Sequence, residues 1–233
     1  MSKKVVGGKV NGEFITLAPD EIEDSPSISQ EQLSNTKVYM SREEYAKSLP
    51  QGIRFMEIGV SWGYYSGLVS ELTNPSCVYL LDKYYQDSRC WSWHRFGECH
   101  CKPIKHTYDF EPKDHKKWIE EKFSKYNNPV AVEGDCEQTL LTLDQQEFDY
   151  IYFDTNNERQ HTERTLKIIS KMVAVGGLIG VNDYLIYDSI NVDRPYGTFQ
   201  SVNFFLHENK NWSVDAIALH NIGFYDIYLR RNS

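Results

Sequence analysis

Hydrophobic and polar residues change rhythm along this chain, and the changes separate short buried strands from amphipathic helices. Residues 53–58 form an apolar run that halts at two glycines four positions apart, Gly59 and Gly63, and a helix-compatible segment, 66–72, follows at once. The pattern predicts a strand, a tight turn and a helix. Further apolar runs follow: 77–82 closes on Asp82, 129–132 leads into Glu133, Gly134 and Asp135, 148–154 closes on Asp154, and 178–181 enters Asn182, Asp183 and Tyr184. Helical patterns lie between them. Trp118, Ile119, Phe123 and Tyr126 share one face over 113–126, and 137–143 makes a brief helix. Leu166, Ile169, Met172 and Val173 line another, whose end is assigned to a Gly176-Gly177 cap. Strands alternating with helices predict a mostly parallel sheet covered on both faces. The last third differs: after a helix over 198–207, strand patterns at 212–219 and 224–229 are separated only by His220, Asn221, Ile222 and Gly223. Two successive strands joined this closely predict an antiparallel pair at the sheet edge.

Two regions break the alternation. In the first 50 residues, Asn11-Gly12 between apolar neighbours predicts a type I′ hairpin, the acidic and serine-rich stretch 20–27 reads as a solvated loop, and Ser41-Arg42-Glu43-Glu44 has the S-x-x-E form that starts a short helix ending by Leu49. From 84 to 112 periodicity is lost in an insertion holding Cys90, Trp91, Trp93, His94, Cys99, His100 and Cys101. These side chains could ligate a tetrahedral zinc, but there is no C-x-x-C. An aromatic lid in which Trp91, Trp93 and Phe96 offer apolar surface to an organic substrate is the preferred reading. The expected organisation is an N-terminal extension over 1–50, covering the substrate side, and a main domain over 51–233 that carries the insertion.

Length and composition narrow the function. A chain of 233 residues with 40% hydrophobic content buries a full core as one domain. With 25 basic and 33 acidic residues the net charge is −8, which argues against general attraction to nucleic acid or anionic membranes. The opening Met1-Ser2-Lys3-Lys4 precedes no apolar h-region, and no run approaches the roughly 18 apolar residues of a membrane span. A cytoplasmic protein is expected, with its five cysteines reduced.

The glycine turn carries the chemistry. A glycine lets backbone approach a ligand where a Cβ would intrude, and the helix start offers unpaired N–H groups. A dinucleotide fingerprint is not met, since Ser61 and Tyr64 stand at the second and third glycine positions, and no GK[ST] phosphate loop exists. Six pieces occur in order over 50–231: E-x-G-x-x-x-G-x-x-S from Glu57 to Ser66, Asp82 within Leu81-Asp82-Lys83-Tyr84-Tyr85, Gly134-Asp135, the FD-x-I-Y-x-D strand from Phe148 to Asp154, Gly176-Gly177-x-Ile179, and Asn182-Asp183-Tyr184. Together they resemble the class I S-adenosylmethionine-dependent methyltransferases, in the branch of small-molecule O-methyltransferases grouped with macrocin O-methyltransferase (methyltransferase domain 24). The resemblance implies a Rossmann-like sandwich whose seven-stranded, mostly parallel sheet has an antiparallel last strand. It implies S-adenosyl-L-methionine as cofactor, with Glu57, Gly59, Ser61, Gly63 and Ser66 around its methionine part, Asp82 on the ribose, Asp135 and Cys136 beside the adenine, and Asp154 between cofactor and acceptor. Such relatives are often dimers or larger, which leaves a homo-oligomer open.

For a hydroxyl acceptor, nucleophilicity comes from a base or from a metal that lowers its pKa. Asp154, Asn182 and Asp183 offer three oxygens that suit a hard ion such as Mg²⁺, and relatives place a metal there. Two departures stand against this. Asn182 replaces one of two acids common in relatives, and Asn157 and Arg159 stand where relatives carry a His and a Tyr. His161, one helical turn beyond Asn157, is the remaining base candidate beside Asp154 and Asp183, with a surface histidine as the plainer reading. O-methylation of a sugar or other small hydroxylated molecule leads. A cofactor-binding protein without transfer activity and a methyltransferase acting on nitrogen or protein remain as alternatives.

Overall fold

The computed structural model describes residues 7–10, 13–16, 25–84, 94–95, 98–99, 114–143, 146–188, 194–220 and 224–233. The expectations placed on Asn11-Gly12, on the side chains of the Cys/His insertion and on the 221–223 turn lie outside them. The first described elements are β1 (Gly7–Val10) and β2 (Glu13–Thr16), antiparallel with Val10 opposite Glu13. Next comes α1 (Gln30–Leu33), which the sequence reading missed. Ser29 and Gln32 cap it reciprocally, and Gln32 Nε2 then donates to the carbonyls of Leu206 (2.7 Å) and Trp212 (3.0 Å), fastening it to the far end of the chain. β3 (Lys37–Tyr39) and α2 (Arg42–Ala46) follow. Ser41 Oγ accepts the Glu44 N–H at 3.2 Å, while the Glu44 carboxylate pairs with Lys47 at 2.6 Å.

The main body then alternates: β4 (Arg54–Ile58), α3 (Tyr64–Thr73), β5 (Cys77–Asp82), the short pair β6 (His94–Arg95) and β7 (Glu98–Cys99), α4 (His115–Phe123), β8 (Pro129–Glu133), α5 (Cys136–Thr142), β9 (Phe148–Phe153), α6 (Arg159–Met172) and β10 (Val173–Val181). A second short pair, β11 (Tyr187–Asp188) and β12 (Arg194–Pro195), precedes α7 (Thr198–Glu208), β13 (Trp212–Leu219) and β14 (Tyr225–Arg231). The central sheet runs β3-β13-β14-β10-β9-β4-β5-β8. Strands β8, β5, β4, β9 and β10 are mutually parallel, and β14, the last in sequence, lies antiparallel to both β10 and β13. This is the Rossmann-like sandwich expected, with its antiparallel last strand.

The period of two in the strands divides the core. Met56, Ile58, Ile151, Phe153 and Ile179 face one layer with Leu166, Ile169 and Leu206. Phe55, Tyr150, Tyr152 and Tyr228 face the other with Tyr45, Tyr65, Val69, Ile119 and Phe123. Each fully buried large side chain here is worth about 2–5 kcal/mol against alanine. The second layer is rich in tyrosine, and its hydroxyls are paired: Tyr65 with Tyr150 at 2.8 Å, Tyr45 with Asp215 at 3.0 Å.

Three expectations are corrected. The sheet has eight strands rather than seven, because β3 of the leading segment pairs in parallel with β13, Val38 opposite Ile217. Gly176 and Gly177 do not cap a helix: α6 ends at Met172, Val173 is already extended, and both glycines lie inside β10 where its register against β9 shifts between Val173 and Leu178. Gly176 has φ +83°, and a Cβ on Gly177 would stand 2.9 Å from the Asp149 carbonyl, so the irregularity rather than a cap needs them. Tyr126 lies beyond α4, which stops at Phe123.

Candidate functional site

The turn after β4 passes directly over the end of β9. Gly59 has φ +87°, and a Cβ there would lie 1.6 Å from the Asp154 carbonyl oxygen, so only glycine fits. Gly63, at φ +61°, is the N-cap of α3 and meets the Phe123 ring in the same way at 2.7 Å. Between them Ser61 also takes a left-handed conformation, φ 48°, which a side chain makes unfavourable. Its peptide is held from both sides. Its N–H donates to Asp82 Oδ2 at 2.8 Å and its carbonyl accepts from His115 Nε2 at 2.8 Å. Lys122 Nζ donates to the next two carbonyls, Trp62 at 2.5 Å and Gly63 at 3.1 Å. Helix α4 therefore grips the turn by its carbonyl side, and burial lowers the pKa of both gripping side chains.

Three carboxyl groups surround the turn, borne by the neighbouring strands β9, β4 and β5. Glu57 is buried, and because Gly63 offers no capping side chain, Glu57 Oε2 accepts the Ser66 N–H at 3.0 Å together with the Ser66 hydroxyl. Burial, and then the charge of Asp154, push the Glu57 carboxyl well above the usual range, against the pull of Arg42. Asp154 is pushed up to about 6, first by burial and then by Asp226 and Asp82, with Arg42 opposing. Asp82, at the end of β5, also accepts the Tyr84 N–H at 3.1 Å. One strand further along, Asp135 forms an ion pair with Lys83 at 3.2 Å and precedes Cys136, the first residue of α5.

His161 is brought to Cys136. Its Nε2 lies 3.5 Å from Cys136 Sγ and 2.9 Å from Thr155 Oγ1, and its Nδ1 lies 2.8 Å from Glu137, which Arg164 also holds. Both ring nitrogens are engaged on the β8 side of the sheet. Asp183 lies elsewhere, at the end of β10 with φ 51°: its carboxylate accepts from Asn157 Nδ2 at 3.5 Å and its carbonyl accepts from the Thr198 hydroxyl. Arg159 points away, paired with Glu163 at 2.8 Å and stacked over Phe204.

At the ends of β9 and β10, Asp154 and Asn182 meet partners that sequence reasoning missed, Arg42, Tyr152 and Asp226. Asn182 is buried, and its Nδ2 donates to Asp154 Oδ1 at 3.1 Å. Its Oδ1 faces the Tyr152 hydroxyl at 3.1 Å and Arg42 Nη1 at 3.5 Å. Arg42 also donates to the Tyr152 hydroxyl at 3.2 Å, and that hydroxyl donates to the wholly buried Asp226 at 2.7 Å. Burial works against the charge on Arg42, but Tyr152, Asp226 and Asp154 outweigh it and raise its pKa. His220 Nε2 stands 3.6 Å from Asp226 Oδ1. Three buried polar atoms here have no hydrogen-bond partner: Arg42 Nε, Asp226 Oδ1 and His220 Nε2. Asp226 carried a sequence signal, an acid inside the apolar run Tyr225-Asp226-Ile227-Tyr228-Leu229; Arg42 carried none beyond its place after an N-cap.

No family model matches the chain, and no curated protein sequence matches it. Solved structures do. The chain is similar to an O-methyltransferase from Bacillus cereus in complex with SAH, with 14% identity, 81% of this chain and 80% of that chain covered, and a TM-score of 0.54. It is similar to a ribosomal protein L11 methylase from Lactobacillus delbrueckii subsp. bulgaricus, with 12% identity, coverage of 82% and 77%, and a TM-score of 0.51. An rRNA methylase from Streptococcus thermophilus matches with 10% identity, coverage of 82% and 95%, and a TM-score of 0.53. The shared property is the fold, the class I methyltransferase sandwich, and the named acceptors of these neighbours differ from one another.

Proposed function

We propose that the protein is an S-adenosylmethionine-dependent methyltransferase acting on an oxygen of a small hydroxylated molecule such as a sugar. One observation carries the reading: Glu57, Asp82 and Asp154 ring the glycine turn after β4, and burial raises the pKa values of two of them even against the pull of Arg42. A ligand bearing an ammonium, a sulfonium and a ribose diol fits that arrangement. The ammonium and sulfonium satisfy the acids, and Asp82 accepts the ribose hydroxyls. Asp135 and Cys136 then border the adenine, with His161 holding their side of the cleft through Cys136 and Glu137 rather than acting on the acceptor. Ser66 fixes Glu57.

S-adenosylmethionine supplies, when bound, a methyl group already activated on sulfur, so the chain must align the reactants and take a proton. With the methyl donor bound, Asp154 would take the proton of the acceptor hydroxyl. A carboxyl with a pKa of about 6 is ionised at pH 7 and basic enough for the task. Asp183 and Asn157 shape the acceptor side. The donor set does not fit Mg²⁺: Asn182 turns its nitrogen, not its oxygen, toward Asp154, and among the described residues no three His, Cys, Asp or Glu side chains converge. The net charge of −8 favours a small acceptor over RNA.

Calorimetric titration with S-adenosylmethionine tests the reading. The wild type binds one equivalent, Asp82→Ala loses that binding, and Asp154→Asn binds cofactor but transfers no labelled methyl to hydroxylated small molecules that the wild type methylates. A wild type that binds no S-adenosylmethionine sinks the proposal.

A further inference from the structure

Resting on the methyltransferase reading, we propose that Arg42 is the resident cation of the acceptor end and stands in the place of a divalent metal. The leading segment carries it there: β3 joins the sheet edge, Ser41 caps α2, and the first residue of that helix reaches over the ends of β9 and β10. Its guanidinium touches Tyr152 and Asn182 and feels the charges of Asp154 and Asp226, the acids that a metal would otherwise have to neutralise. It also stacks over the Tyr65 ring at 5.6 Å, which fixes it in the buried layer. The Asn182 amide agrees with this charge. With its oxygen toward Arg42 and its nitrogen toward Asp154, it links cation and carboxylate, whereas a ligating amide would present oxygen to the ion.

Like charge opposes a second cation here: a divalent ion beside Asp154 would feel the repulsion of the Arg42 guanidinium, whose charge already acts on that acid. The guanidinium is also not fully used by the protein, since its buried Nε–H has no hydrogen-bond partner and only an ion-pair distance of 3.8 Å to Glu43.

The test follows Mn²⁺ alone, by electron paramagnetic resonance, added to the full chain. The wild type should leave Mn²⁺ free up to about 1 mM, the weak end of oxygen-ligated sites. Arg42→Ala with Asn182→Asp, which removes the cation and supplies the missing acid, should hold Mn²⁺ at least about tenfold tighter than the wild type, and Arg42→Lys with Asn182→Asp should exclude it again. Wild-type Mn²⁺ binding that disappears in Asp154→Asn overturns the proposal. So does a folded Arg42→Ala/Asn182→Asp protein that binds no more Mn²⁺ than the wild type; if that pair does not fold, Arg42→Gln/Asn182→Asp is judged by the same criterion. S-adenosylmethionine titration without metal is read in parallel: a wild type that fails to bind it defeats the methyltransferase reading and leaves the Mn²⁺ result to decide Arg42 separately.

Discussion

Asn182 Nδ2 lies 3.1 Å from Asp154 Oδ1, so a neutral amide, not a second acid, holds the carboxylate that closes β9. The contact ties the end of β9 to the end of β10. It also keeps Asp154 beside a donor rather than beside another negative charge.

Replacing that amide by an acid should be costly. Asn182→Asp puts two carboxylates in contact and removes the N–H donor to Asp154, while its oxygens still accept from Arg42, and we expect a loss of about 1–3 kcal/mol in urea denaturation at pH 7. Wild-type stability in this variant would mean that the contact does not hold Asp154.

The raised value of Asp154 has a definite sign for stability. Its folded value of about 6 lies above the ordinary 3.8, so the protein is stabilised by its protonated form below about pH 4 and loses that contribution as the pH rises through 6. Asp154→Asn should therefore make the unliganded protein more stable by up to about 3 kcal/mol at pH 7, and no more stable at pH 4. A stability difference that does not change between these two pH values contradicts the burial argument.

Cofactor binding should release protons. Glu57 and Asp154 hold protons above the usual carboxylate range, and a cation bound beside them favours the ionised forms. Near pH 6 the heat of S-adenosylmethionine binding should depend on the ionisation enthalpy of the buffer in the sense of release, and affinity should climb with pH up to about 7. Identical heats in two buffers would count against it.

Two glycines with similar backbone conformations separate strain from collision. Gly52, at φ +73°, has open space where a Cβ would go, so Gly52→Ala should cost about 1 kcal/mol and leave cofactor binding intact. Gly59→Ala must also displace the Asp154 carbonyl, and we expect it to cost more than about 3 kcal/mol and abolish binding. Equal costs in thermal unfolding would refute the distinction.

Lys122→Met keeps the aliphatic stem of Lys122 but leaves the Trp62 and Gly63 carbonyls without their donor. Cofactor affinity should fall about tenfold or more, corresponding to about 1–3 kcal/mol, while the secondary structure is unchanged. Unchanged affinity would show that α4 does not shape the turn.

Much of the fold was legible because burial on both faces gives parallel strands long apolar runs, and 77–82 and 148–153 announce themselves that way. β3 did not. It has three residues, and Val38 is 66% exposed, so neither period nor hydrophobicity marks it; it is a strand because β13 offers an unpaired edge. The Gly176-Gly177 pair reads as a cap by local rules, which do not see that Val173 already pairs with Phe148. At the site, Glu57, Asp82 and Asp154 were readable as acids at strand ends. Arg42, Tyr152, Asn182 and Asp226 become a cluster only through the sheet order, which places residues 42, 152, 182 and 226 side by side. His161 shows the reverse: helical spacing suggested one cleft, and the packing of α6 on α5 turned it to another.

The pairing of β3 with β13 sets the order in which the molecule can be completed. Residues 37–39 find their partners at 216–218, so β3 cannot join the sheet until β13 has been synthesised. During synthesis the acids at the ends of β4, β5 and β9 can assemble first, and the strand that leads into Arg42 is secured only afterwards.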